Sequence, residues 1–148
     1  AYQGLQEYQA PVEYGKSEII HRGKKIAVLG VGSMIPSCLE VCQGLKADGY
    51  DPTFVNARFV KPLDVDLLDE FAKDHNLFVT VEENVKSGGY GEHVSAYMEA
   101  CHPEARVLSA SVWDRFVPQG NVDSLRTRIG LGVADIRQAI EDSEEVRE

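Results

Sequence analysis

A buried strand that runs into a glycine turn, Leu77 to His93, limits the possible folds of this chain more than any other stretch. Leu77-Phe78-Val79-Thr80-Val81 is an apolar, β-branched run bounded by turn residues, as in a central strand covered on both faces. Glu82-Glu83-Asn84-Val85-Lys86 makes an acidic strand end, and Ser87-Gly88-Gly89-Tyr90-Gly91 turns the chain into a helical pattern. Three glycines in four positions let the backbone bend sharply and come close to a neighbour. In open α/β sheets, ligands and partners sit beyond the carboxyl ends of the strands. A functional surface is therefore expected at this end of the sheet.

The flanking sequence alternates strands with helices. Short strands are predicted at Glu18 to His21 and Lys25 to Gly30. The Arg22-Gly23-Lys24 turn between them predicts an antiparallel pair, and so an antiparallel edge. Met34, Cys38, Val41, Cys42 and Leu45 recur at helical spacing, with Pro36 in the first turn, Ser33 as N-cap and Gly49 just past the end. Pro52 to Phe59 is the next strand. Asp64 caps a helix that buries Leu67, Leu68 and Phe71 and ends at Asn76. After the organising strand, a helix from Glu92 to Cys101 buries Val94, Tyr97 and Met98, and Pro103 stops it. A strand at Arg106 to Ala110, an irregular Val112 to Gly120, and helices at Asp123 to Ile129 and Val133 to Ile140 complete the chain. The alternation implies right-handed crossovers. The expected fold is α/β: a three-layer αβα sandwich on a mixed sheet of about five strands, four parallel and one an antiparallel edge.

Ala1 to Lys16 has no clean period and reads as a linker from a preceding domain, with Tyr2, Tyr8 and Tyr14 docking on apolar ground. The folded domain is expected over 17–148. The absence of a Met at position 1 predicts a stretch cut from a longer polypeptide. The net charge of -9, with no basic run, argues against nucleic acid or an anionic membrane as partner. No apolar stretch approaches the roughly 20 residues of a membrane helix. Three cysteines, Cys38, Cys42 and Cys101, are too few and too scattered for a disulfide framework and fit a reducing, cytoplasmic compartment.

Several constellations bear on chemistry. Cys38, Cys42, Cys101 and His102 would have to combine to hold a metal, but zinc ligand pairs sit on turns at closer spacing, and core cysteines are the better reading. Gly30-Val31-Gly32 resembles the start of a dinucleotide fingerprint, yet Ile35 stands where a third glycine is needed and no acidic residue ends the following strand. Glu82 and Glu83 are adjacent on a strand and point to opposite faces, so they do not form a facing acid/base pair. One of them is expected to pair with Arg58 and lock the strand-end loop. Ser87 to Gly91 suits an anion on backbone N–H groups or close packing against a partner. His21, His75, His93 and His102 share no motif and read as surface or capping residues. Trp113-Asp114-Arg115-Phe116 is either an interface hot spot or core.

Taken in order, Tyr14 to Gly23, Ile26 to Met34, Ala57-Arg58-Phe59-Val60-Lys61-Pro62-Leu63-Asp64, Val79 to Asn84 with Gly88-Gly89-Tyr90-Gly91, and Asp114-Arg115-Phe116-Val117-Pro118-Gln119-Gly120 resemble a known family. The chain from about Gly15 to Ile140 is similar to the C-terminal domain of the 1-deoxy-D-xylulose-5-phosphate synthases, thiamine-diphosphate enzymes of the transketolase superfamily. Gln119, where these synthases often carry His, and Gly132, in a run usually read Gly-Leu-Asp, depart from the pattern.

The resemblance implies a transketolase C-terminal-like fold and a transferase whose preceding domains bind thiamine diphosphate and Mg²⁺ and condense pyruvate with glyceraldehyde 3-phosphate, releasing CO₂. It implies a place in isoprene and thiamine biosynthesis and a homodimer. No diphosphate-binding motif is present here, so no catalytic, cofactor or metal residue is assigned and the domain alone is expected to be inactive. Arg58, Lys61, Glu82, Glu83, Gly88, Gly89, Gly91 and Arg115 are assigned architectural roles at strand ends or interfaces. The alternatives are a free-standing nucleotide-binding or regulatory module, and the C-terminal domain of another transketolase-superfamily enzyme.

Overall fold

The computed structural model describes residues 11–113 and 119–143. Five strands, β1 (Glu18–His21), β2 (Lys25–Gly30), β3 (Thr53–Asn56), β4 (His75–Val85) and β5 (Arg106–Val112), form one sheet in the order β1-β3-β2-β4-β5. β3, β2, β4 and β5 are parallel, and β1 is an antiparallel edge. The helices are α1 (Ile35–Ala47), α2 (Val65–Phe71), α3 (Tyr90–Cys101), α4 (Val122–Arg128) and α5 (Val133–Glu141). This is the expected α/β sandwich with four parallel strands and one antiparallel.

The period of two along the central strands divides the core. Ile26 and Val28 of β2 and Leu77, Val79 and Val81 of β4 face α1 and α5, against Met34, Cys38, Val41, Leu45, Ile136 and Ile140. Ala27 and Leu29 of β2 and Phe78 of β4 face α2 and α3, against Leu67, Leu68, Phe71, Val94 and Met98. Each of these large side chains, fully buried, contributes on the order of 1.5–3 kcal/mol from apolar burial.

The sequence places most elements correctly and errs at several joints. β1 does not pair with β2. Residues Glu18, Ile19 and His21 pair with Asn56, Val55 and Phe54 of β3, which lies between β1 and β2. The reason lies in the turn. The Lys24 amide donates to the Asp51 carbonyl at 2.8 Å, and the Gly23 amide donates to Thr53 Oγ1 at 2.9 Å. A Cβ on Gly23 would stand 2.0 Å from the Asp51 oxygen, so the turn passes tightly over the start of β3 instead of folding back in the sheet.

The segment predicted as a strand over Pro52 to Phe59 is strand only over Thr53–Asn56. Ser33 does not cap α1. It sits in a short 3₁₀ turn, Gly32–Met34, and Met34 is the N-cap, without a side-chain hydrogen bond. The Ser33 hydroxyl instead donates to Glu83 on the end of β4. Pro36 does lie in the first turn of α1, and Gly49 follows its end at φ +94. Asp64 caps α2, accepting from the Leu67 amide at 3.3 Å. That helix stops at Phe71 instead of Asn76, because β4 already begins at His75.

His75 is not a surface residue. It is 3% exposed, and both ring nitrogens are met, Nε2 by Thr53 Oγ1 at 2.7 Å and Nδ1 by Asp74 Oδ1 at 2.6 Å and the Phe71 carbonyl at 3.1 Å. The acceptors at Nδ1 place the proton there, so the threonine hydroxyl donates to Nε2. α3 begins at Tyr90, two residues before the expected Glu92, and Tyr97 is half-buried, its hydroxyl donating to Asp69 Oδ1 at 2.8 Å. β5 runs on to Val112.

Candidate functional site

The carboxyl ends of the parallel strands gather Arg58, Lys61, Glu82, Glu83 and the Gly88–Gly91 turn. Arg115, with the rest of 114–118, lies outside the described residues.

Glu82 organises the turn. It is 1% exposed, and its two oxygens accept from the first amides of α3, Oε1 from Tyr90 at 2.9 Å and Oε2 from Gly91 at 2.6 Å. The Asn84 amide group adds a longer bond to Oε1 at 3.4 Å. Gly89, the N-cap, has no side chain to offer, so a carboxylate seven residues upstream supplies the capping that a local Ser or Asp would give. The negative charge also lies at the positive end of the helix dipole. This arrangement requires the glycines. A Cβ on Gly89 would stand 2.6 Å from Glu82 Oε1, and one on Gly91 would stand 2.6 Å from Thr80 Oγ1 and 2.7 Å from Ser109 Oγ. Gly88 turns the chain at φ +73, and its amide donates to Glu92 Oε2 at 3.0 Å.

Glu83 points to the other face. It accepts from Ser33 Oγ, and from Arg126 of α4 through Nε at 2.7 Å and Nη2 at 2.6 Å. Partial burial pushes its carboxyl up, but the Ser33 hydroxyl and the Arg126 guanidinium outweigh that and hold it below its ordinary value. The residue thus ties the β2–α1 turn and α4 to the end of β4.

Arg58 meets neither glutamate, contrary to the expected pair. Its guanidinium binds Glu18 Oε2 at 2.6 Å and donates to the Pro11 carbonyl at 3.1 Å. The strand order explains this. β2 stands between β3 and β4, so the end of β3 adjoins β1, which carries Glu18. Lys61 is exposed on the following loop.

The sequence reading missed Glu18, Ser33 and Arg126, the partners of the residues it singled out. Glu18 became findable only once β1 was set beside β3. Ser33 and Arg126 carry no spacing signal relative to Glu83.

Chemically, this is a set of joints. Both oxygens of Glu82 are engaged out of solvent, so this carboxylate is not free to carry a proton for a substrate. The amides at the start of α3, the natural cradle for a diphosphate, are already filled by that carboxylate. Among the described residues, this strand end does not fit thiamine diphosphate. The Gly30-Val31-Gly32 segment is a tight strand-to-helix turn. A Cβ on Gly30 would stand 2.8 Å from Cys38 Sγ, and Ile35 is buried in the core.

The cysteines and His102 do not converge. Cys38 and Cys42 are buried on the core face of α1, while Cys101 is exposed at the end of α3 on the opposite layer. Burial pushes the Cys38 thiol up, and the Cys42 thiol up to about 12. His102 Nε2 instead binds Asp69 Oδ1 at 2.7 Å, joining α3 to α2. Among the described residues no three His, Cys, Asp or Glu side chains are placed to hold a metal. Trp113 is 68% exposed, at the mouth of a groove of about 640 Å³ floored by Val79, Leu108, Ala110 and Ile136. No helix among the described residues is long and apolar enough to cross a membrane.

Residues 15–136 match the family described as transketolase, C-terminal domain. The chain is 41% identical over 137 residues to 1-deoxy-D-xylulose-5-phosphate synthase of Dictyoglomus thermophilum, covering 93% of this chain and 22% of that protein. It is 38% identical over 138 residues to the Nitrosomonas europaea synthase, covering 93% of this chain and again 22% of the relative. The chain therefore spans about a fifth of the length of the curated relatives it matches.

Among solved structures, a split-gene transketolase described as an inactive beta4 tetramer superposes with a TM-score of 0.85 at 27% identity, over 94% of this chain and 45% of that one. A transketolase mutant from Pichia stipitis, at 12% identity and a TM-score of 0.61 over 86% of this chain and 18% of that one, shares the fold. With the sheet order, the αβα layers and the sequence match in agreement, this chain belongs to the family of transketolase C-terminal domains.

Proposed function

We propose that the chain serves as the C-terminal structural and dimerisation domain of a thiamine-diphosphate- and Mg²⁺-dependent 1-deoxy-D-xylulose-5-phosphate synthase. The enzyme condenses pyruvate with glyceraldehyde 3-phosphate and releases CO₂, in the cytoplasm, at the head of isoprene and thiamine biosynthesis. In this reading the preceding domains of the same chain hold the cofactor and carry the chemistry, and residues 17–148 pack on them and on a second copy. The observation that carries it is the run of about 40% identity to such synthases across nearly the whole chain. The strand-end geometry supports it, since its polar groups are spent on internal joints. Arg58, Lys61, Glu82, Glu83, Gly88, Gly89, Gly91 and Arg115 then act as architecture, not as catalysts. A free-standing nucleotide-binding module is not favoured.

The test is calorimetric titration of the 148-residue chain with thiamine diphosphate and Mg²⁺, beside an assay of the native polypeptide that carries this stretch for CO₂ release from pyruvate with glyceraldehyde 3-phosphate. The expected outcome is no binding to the isolated chain and activity in the native polypeptide. Saturable cofactor binding to the isolated chain, or a native polypeptide without that activity, would overturn the reading.

A further inference from the structure

The stretch ahead of β1 is fastened to the β3–α2 connection at several points. The Arg58 guanidinium holds the Pro11 carbonyl and Glu18, and the side chains of that ion pair are only 13% and 9% exposed. The Tyr14 ring meets Phe59 edge-on, with centroids 5.6 Å apart. Lys16 Nζ binds Asp66 at 2.8 Å. The Ser17 amide donates to Asp64 Oδ2 at 2.8 Å and the Ser17 hydroxyl to the Ala57 carbonyl at 3.1 Å. Gly15, at φ +72, lies so close that a Cβ would stand 2.9 Å from Pro62 Cγ.

Arg58 itself sits at φ +59, a left-handed conformation uncommon for a side chain of its size, with its amide held by Asn56 Oδ1 at 3.1 Å. A flexible tether needs none of this: tethers are Gly- and Ser-rich and make no fixed contacts. Such a backbone persists only where its surroundings hold it, and at Arg58 the holding contacts are those to Pro11, Glu18 and Asn56.

We propose that the loop from Asn56 to Asp66 is a latch, with Arg58 as its central positioning residue, that seats Pro11–Lys16 in one place at the carboxyl end of the sheet. A longer polypeptide would then leave this domain rigidly, in a fixed direction, beside β1 and β3. Its use rests on the multidomain reading above, but the seating is a property of the 148-residue chain itself. The folded unit accordingly starts at or before Pro11, ahead of the boundary expected at residue 17.

The experiment is a nitroxide spin label at Glu13→Cys in a Cys101→Ser background, where the two remaining cysteines are buried, together with amide exchange at Lys16 and Ser17. With the latch intact, the label should be immobilised and the two amides protected about tenfold or more over a free peptide. Arg58→Ala should return the label to the fast motion of a free terminus and abolish that protection, while the amides of β2 and β4 stay protected. If Arg58→Ala does not fold, Arg58→Lys is read in its place, since it replaces by one nitrogen the two, Nη1 and Nη2, that reach the Pro11 carbonyl and Glu18 separately. A label mobile in the parent chain, or one equally immobile in the Arg58 variant, overturns the proposal. Neither result depends on cofactor binding, so failure here and failure of the synthase reading are separately visible.

Discussion

Glu82 and Glu83 are neighbours in the sequence and opposites in the structure. On the α2–α3 side, Glu82 is sealed from solvent with two backbone amides on its oxygens. On the α1–α5 side, the Glu83 side chain is 37% exposed and shared between a hydroxyl and a guanidinium. The alternation of a strand separates them, and burial then decides how much each matters. A carboxylate that is the sole answer to two buried N–H groups is hard to remove. A carboxylate at the surface has water as a substitute.

The sharpest break of this comparison is Glu82→Ala. It strips the cap from α3 and strands two buried donors, and should cost about 3 kcal/mol or more in a denaturant titration. A loss below that of Glu83→Ala would reverse the ranking. Next comes Gly91→Ala, whose methyl meets Thr80 and Ser109, with an expected loss of about 1–3 kcal/mol from overpacking. A double variant, Gly91→Ala with Ser109→Gly, should recover part of that loss if the clash is the cause.

Smaller is Arg126→Ala, at about 0.5–1 kcal/mol, shrinking further in high salt. Smallest is a pH effect. Glu83 titrates below its ordinary value of 4.5 in the folded chain. Its contribution is therefore complete above that value and disappears as the pH falls through the lower, folded value. The stability gap between the parent chain and Glu83→Gln should be constant at neutral pH and close in acid. A gap that widens in acid would contradict the Ser33 and Arg126 contacts.

Local signals were legible in the sequence wherever a residue's own neighbours determine its conformation. Asp64 three residues before Leu67, Pro36 in a first turn and Gly49 after a helix each have a cause within one turn of the chain. The glycines of the Gly88–Gly91 turn were legible as a close approach, but what they approach was not, since Thr80 and Ser109 come from two different strands. Arg58 shows the limit most clearly. Its choice between Glu18 and Glu82 depends on whether β3 or β2 adjoins β4, which no spacing encodes. His75 reads as polar surface between Asp74 and Asn76, yet it is buried because Thr53, far off in sequence, satisfies its second nitrogen.

The position of β1 has a consequence for the order of assembly. Its partner in the sheet is β3, more than thirty residues on along the chain, and β3 is held in turn by β2. The first strand of this sheet in sequence therefore has no place to go until the β2–α1–β3 crossover has closed, and such non-local pairing is slow to form. Substitutions in β1, such as Ile20→Val, should accordingly speed unfolding while leaving the refolding rate nearly unchanged, whereas Val28→Ala in β2 should slow refolding. β1 precedes in the sequence both strands that must meet before it can join the sheet.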